Sequence, residues 1–125
     1  MAAPNIVGIT TVIGLTTAVS LGSTTPTRFI SNAANSGKVF KINSLFVSNI
    51  DGTVSANITI NHHFDAAGAG TSVSISRTVA VPANSTLIVL DKASSIYLEE
   101  NRSLTATASA AGDLAVTCSY EEISS

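Results

Sequence analysis

The sequence has one cysteine, no tryptophan and little charge. A lone thiol, Cys118, cannot form an internal disulfide, so folding should not depend on an oxidising compartment, and a cytoplasmic setting is expected. Charged residues make up 11% of the chain, against about 25% in ordinary soluble domains. The net charge is -2 with no basic cluster, which argues against counterion-release binding to nucleic acid. Aromatics are 5%, too few for a stacking platform for sugars or single strands. The most apolar stretch, Ile6 to Leu21, is broken by Gly8, Gly14 and several threonines, and no Lys or Arg precedes it. It reads as neither a membrane span nor a signal peptide. There is no Walker loop, dinucleotide-binding turn, Gly-x-Ser-x-Gly or cysteine cluster, so neither an enzyme nor a cofactor is expected.

What the chain does contain is period-two alternation. From Val54 to Phe64, Val54, Ala56, Ile58, Ile60, His62 and Phe64 share one face and polar residues the other. Leu114, Val116, Cys118 and Tyr120 alternate in the same way, as do Leu104, Ala106 and Ala108. The Ala-Gly-Asp at 111–113 between these two runs predicts a hairpin. Between Lys38 and Ile50 the apolar phase changes at Asn43-Ser44, the signature of a β-bulge. Asp51-Gly52 marks a turn. Val73–Val81, Leu87–Leu90 and Ile96–Leu98 read as further strands, and Ala66 to Thr71 as a flexible loop. With 125 residues this gives one all-β domain over 1–125, an antiparallel β-sandwich or jelly-roll-like barrel.

No charged side chain occurs before Arg28. An exposed uncharged strand edge invites pairing with other chains. Residues 1–27 are therefore either an interior strand pair or an N-terminal arm contacting a partner. On the second reading the interface residues are Ile6, Val7, Ile9, Val12, Ile13 and Leu15. Arg77 falls in phase with Val73, Ile75, Val79 and Val81, so it needs either an intramolecular glutamate or a subunit contact.

The remaining chemistry-bearing residues have plain structural readings. His62 and His63 point to opposite faces of a strand, and His63 with Asp65 supplies only two of the ligands a metal needs. The expectation is no metal, with His62 at the end of the core face and His63 in water. Cys118 lies on an apolar face and should be an inert buried thiol. Glu99-Glu100 and Glu121-Glu122 read as solvated strand ends, without the spacing of a glycosidase pair or a calcium loop.

Three segments carry a family resemblance: Val81-Pro-Ala-Asn-Ser-Thr-Leu-Ile-Val-Leu-Asp-Lys, then Ile96-Tyr-Leu-Glu-Glu-Asn-Arg-Ser-Leu-Thr-Ala-Thr-Ala-Ser, then Asp113-Leu-Ala-Val-Thr-Cys-Ser-Tyr-Glu-Glu-Ile-Ser. They resemble small virion structural proteins of tailed bacteriophages, of the cyanobacterial and marine phage type. Ser-Asn-Ala-Ala-Asn-Ser-Gly-Lys-Val-Phe-Lys-Ile-Asn, from Ser31, is similar in style. The resemblance implies a non-enzymatic virion protein assembled in the host cytoplasm. A capsid decoration or cement protein is expected, binding itself as a homo-oligomer, with a trimer favoured, and the major capsid protein. The alternative is a tail, neck or fibre-associated structural or adhesion module. No nucleic-acid or membrane partner is implied.

Overall fold

The computed structural model describes residues 4–125, so residues 1–3 of the expected arm lie outside the described residues. The described residues form nine strands: β1 (Thr11–Ser20), β2 (Thr27–Asn32), β3 (Lys38–Asn49), β4 (Ala56–His63), β5 (Ser72–Val81), β6 (Thr86–Leu90), β7 (Ile96–Leu98), β8 (Arg102–Ala108) and β9 (Leu114–Ser124). The helical pieces among the described residues are two 3-10 turns, Ile6–Gly8 and Lys92–Ser94. One sheet runs β1-β9-β3-β6, with β7 also beside β3; the other runs β2-β8-β4-β5. Every described pairing is antiparallel. This is the strand order of a jelly roll, and the all-β sandwich read from the alternation is what the chain adopts.

The core lies between the sheets and follows the alternation. Ile58 and Ile60 of β4, Leu104 and Ala106 of β8, and Leu114 and Cys118 of β9 are fully buried. Each large side chain among them contributes about 1.5–3 kcal/mol by leaving water. The β3 bulge falls where the phase change places it. Ile42 and Leu45, of opposite parity, are both fully buried, and the register against β9 shifts between Ile42 and Ser44. Asn43 is the extra residue, and it lets both apolar pairs face inward.

Two buried asparagines tie the sheets together. Asn32 donates to the carbonyls of Lys38 (2.9 Å) and Leu98 (3.1 Å) and accepts from the Ser36 hydroxyl (2.6 Å). Asn49 donates to the carbonyls of Val54 (3.0 Å) and Val81 (2.9 Å) and accepts from the Asp51 amide (2.9 Å).

Several expectations are corrected. The segment 111–113 is not a hairpin: β8 lies in one sheet and β9 in the other, so this short link crosses between layers. Arg77 does not share an apolar face. Two register shifts against β4, between Ile58 and Ile60 and between Ile60 and Asn61, break the phase of β5, and Arg77 is exposed with no ion pair among the described residues. His63 is not in water but buried, while His62 is half-buried. A further correction concerns residues 4–27, which do not form an interior strand pair, because β1 is an edge strand.

The loop over 64–71 is pinned rather than loose. It lies over the outer face of β8. The Ala66 carbonyl accepts from Arg28 Nη1 (2.8 Å) and Ser31 Oγ (2.7 Å), and the Asp65 carbonyl from Ser103 Oγ (2.7 Å). Beneath it, His63 Nε2 is 2.9 Å from Thr105 Oγ1 and Nδ1 is 3.3 Å from the Ala69 carbonyl. A carbonyl only accepts, so Nδ1 carries a proton, and the Thr105 hydroxyl partners Nε2. Both ring nitrogens are thereby engaged within the fold.

Candidate functional site

An antiparallel sandwich has exposed strand edges, and a protein either blunts them or uses them. Three of the four edges here are blunted. β2 has six residues, carries Arg28 and shifts register between Arg28 and Ile30. β5 is twice bulged, carries Arg77, and holds Thr78 at a φ of +51°. The β6/β7 edge is split into pieces of five and three residues with a 3-10 turn between them.

β1 is different. It pairs with β9 over ten residues without a register shift, and it contains no charge and no proline. Its first six residues are all exposed. Val12 is 49%, Ile13 47% and Leu15 37% exposed. Directly opposite residues share a face of the sheet. Ile13 lies opposite Glu122 and Leu15 opposite Tyr120, on the side of β9 that carries Cys118 and Val116 into the core. Ile13 and Leu15 therefore point toward the interior layer yet remain partly exposed, outside the packed core cluster. Farther along, Val19 packs against the core, and Leu21 anchors the strand end, its amide donating to the Leu114 carbonyl (2.9 Å).

The apolar strip continues upstream. Thr10 donates to the Ser124 carbonyl (3.3 Å), Ile9 is half-buried, and the turn before it exposes Ile6 and, at 95%, Val7. Asn5 caps this turn by accepting from the Val7 amide (3.1 Å).

The two acids of β9 opposite β1 find partners on β3, on the far side of β9. Glu122 is ion-paired with Lys38. Glu121 accepts from Asn43 Nδ2 (2.9 Å) and lies opposite Lys41. Glu100 accepts from the Gly37 amide (3.2 Å). Glu121-Glu122 is thus built into β9 rather than left as a solvated end, whereas Glu99-Glu100 lies just past the end of β7 with Glu99 exposed. At the middle of the strip, Gly14 has open space where a Cβ would stand.

Of the interface residues read from the sequence, Val12, Ile13 and Leu15 lie on the edge strand β1, and Ile6, Val7 and Ile9 lie in the segment that leads into it. Arg77 is on an edge of the other sheet and does not join them. Sequence reasoning missed the exposure of Ile13 and Leu15 on the inward face, whose only trace was the missing charge. Burial pushes the Cys118 thiol up to about 12, which leaves it protonated at neutral pH. No three His, Cys, Asp or Glu among the described residues gather on one point. No helix among them is long and apolar enough to cross a membrane.

No family model matches the chain, and no curated protein matches it. Among solved structures, a chain from the Bacillus endospore appendages, described as a novel family of disulfide-linked pili, aligns over 91% of this chain and 88% of its own length. The identity is 16% and the TM-score 0.52. At that identity the likeness concerns the fold alone.

Proposed function

We propose that this chain is a non-enzymatic structural subunit of a phage particle, a capsid decoration or cement protein, that works through protein–protein contacts along β1. The single observation that carries this reading is the edge strand itself: ten residues, unbulged, uncharged and apolar on its wet side. A protein that stayed single would be expected to blunt such an edge, as this one blunts its other three. The resemblance of the C-terminal third to small virion proteins supplies the particle. A tail, neck or fibre-associated position is the alternative within this reading. Assembly in the host cytoplasm agrees with a fold whose lone thiol is buried.

A second reading, an extracellular appendage subunit, is favoured by the aligned pilus chain. That protein is described as disulfide-linked, whereas the one cysteine here is in the core, so a filament of this chain would have to be held without such links.

Immunogold electron microscopy with an antibody against the folded domain tests both. Label at regular positions on virions supports the particle reading. Label along filaments on cells favours the appendage, and diffuse label in the cell interior overturns both.

A further inference from the structure

We propose that the partner of β1 is β1 of a second copy of this chain, paired antiparallel across a two-fold axis close to Leu15. This rests on β1 being the assembly edge, as argued above. It would join the two β1-β9-β3-β6 sheets into one continuous sheet through both molecules.

The first argument is exclusion. A strand added to β1 must itself come from an open edge. β2, β5 and the β6/β7 edge are bulged, charged or fragmented, so the complementary open edge a second copy offers is its own β1. One surface that meets itself gives an isologous, closed two-fold contact. A trimer needs two different complementary surfaces, and β1 provides one.

The second argument is backbone polarity. The Leu21 amide donates to the Leu114 carbonyl, in line with the β1–β9 register. Alternation along an antiparallel ladder then directs the peptide groups of Leu15, Ile13 and the other odd-numbered residues to β9. Those of Val12, Gly14, Thr16 and Ala18 face outward, free to bond an incoming strand.

The third argument is side-chain match. Pairing about Leu15 sets Leu15 against Leu15 of the second copy, Ile13 against Thr17, Val12 against Ala18 and Gly14 against Thr16. No charges oppose one another, and the wet flanks of Ile13 and Leu15 are covered. The nearest acid on that flank, Glu122, is already paired with Lys38.

The test uses the full chain in light scattering after size-exclusion chromatography, with a cysteine scan. The wild type is expected at twice the chain mass, and Leu15→Lys at the single-chain mass with a cooperative melt that no longer shifts with protein concentration. In an antiparallel pair at a non-hydrogen-bonded position the two Cα atoms are about 4.5 Å apart, within disulfide reach. Leu15→Cys should therefore crosslink to a covalent dimer under diamide. Thr11→Cys, far from the axis, should stay single, and Cys118 is too buried to interfere. A wild type that is monomeric at all concentrations overturns the two-fold. Regular immunogold label on virions in that case would leave the particle reading standing, with another protein on β1. A dimer unaffected by Leu15→Lys, or one crosslinked through Thr11→Cys and not Leu15→Cys, overturns the pairing.

Discussion

Asn32 and Asn49 clamp the two ends of β3 from opposite layers. Asn32, at the end of β2, holds the Lys38 and Leu98 carbonyls of the facing sheet. Asn49, at the end of β3, holds the Val54 and Val81 carbonyls in the opposite direction. Both side chains are buried with donors and acceptors satisfied, so removing either strands several polar groups in a dry region.

Asn49→Ala should therefore destabilise the domain by about 2–4 kcal/mol, and Asn32→Ala by a similar amount. Asn49→Asp should be no better, because it keeps an acceptor for the Asp51 amide but loses both donors and buries a charge. Urea unfolding followed by circular dichroism measures this; a loss under about 0.5 kcal/mol would contradict the clamp.

Two glycines should respond in opposite ways to a side chain. Gly68 has a φ of +76°, and a Cβ there would sit 3.1 Å from Thr105 Cγ2. Gly68→Ala should cost about 1–2 kcal/mol and loosen the 64–71 loop over His63. Gly14 is extended, with open space beside it. Gly14→Thr should leave the melting temperature of the single chain unchanged or slightly raised. Thermal melts of the two variants in the Leu15→Lys background separate fold from assembly.

Cys118 should resist maleimide at pH 8 in the native protein and react fully in urea. Burial has raised its pKa to about 12, and the side chain has no exposed surface, so labelling must wait for unfolding. Fast labelling of the native state would show that the β9 region opens. Cys118→Ser should destabilise more than Cys118→Ala, since it places a hydroxyl in an apolar core.

Stability should fall in two acid steps. Burial, aided by Arg102, pushes His62 below its ordinary 6.5. The fold prefers the neutral ring, so this contribution is complete above pH 6.5 and is lost as pH falls from there toward the lower folded value. Asp51, whose carboxylate accepts from the Thr53 and Val54 amides, is held below its ordinary 3.8. Its contribution is present above that pH and lost below it. Urea midpoints between pH 8 and 3 should show both steps, and His62→Gln should remove the first alone.

Most strands were legible in the sequence because alternation is a local property. β7 was read over its full length, β5 and β6 to within a residue, and the β3 bulge from the parity of Ile42 and Leu45. The candidate edge was half legible. The missing charge before Arg28 was visible, but an uncharged strand can be central or marginal, and only the sheet order makes β1 an edge. Arg77 misled because its apolar phase holds only if β5 is regular, and bulges depend on what the neighbouring strand does.

By itself, then, the sequence determined most strand runs, the face each residue takes where a run is unbulged, and the buried thiol at Cys118. These follow from which side chains leave water, and the two-residue repeat fixes them before any partner strand is known. The tertiary structure decided which layer each strand joins, that 111–113 crosses between sheets, that the 64–71 loop covers His63, and that Ile13 and Leu15 stay exposed. A short Gly-Asp link can close a hairpin or change layers equally well. Exposure depends on what lies above a residue, which long-range packing alone supplies.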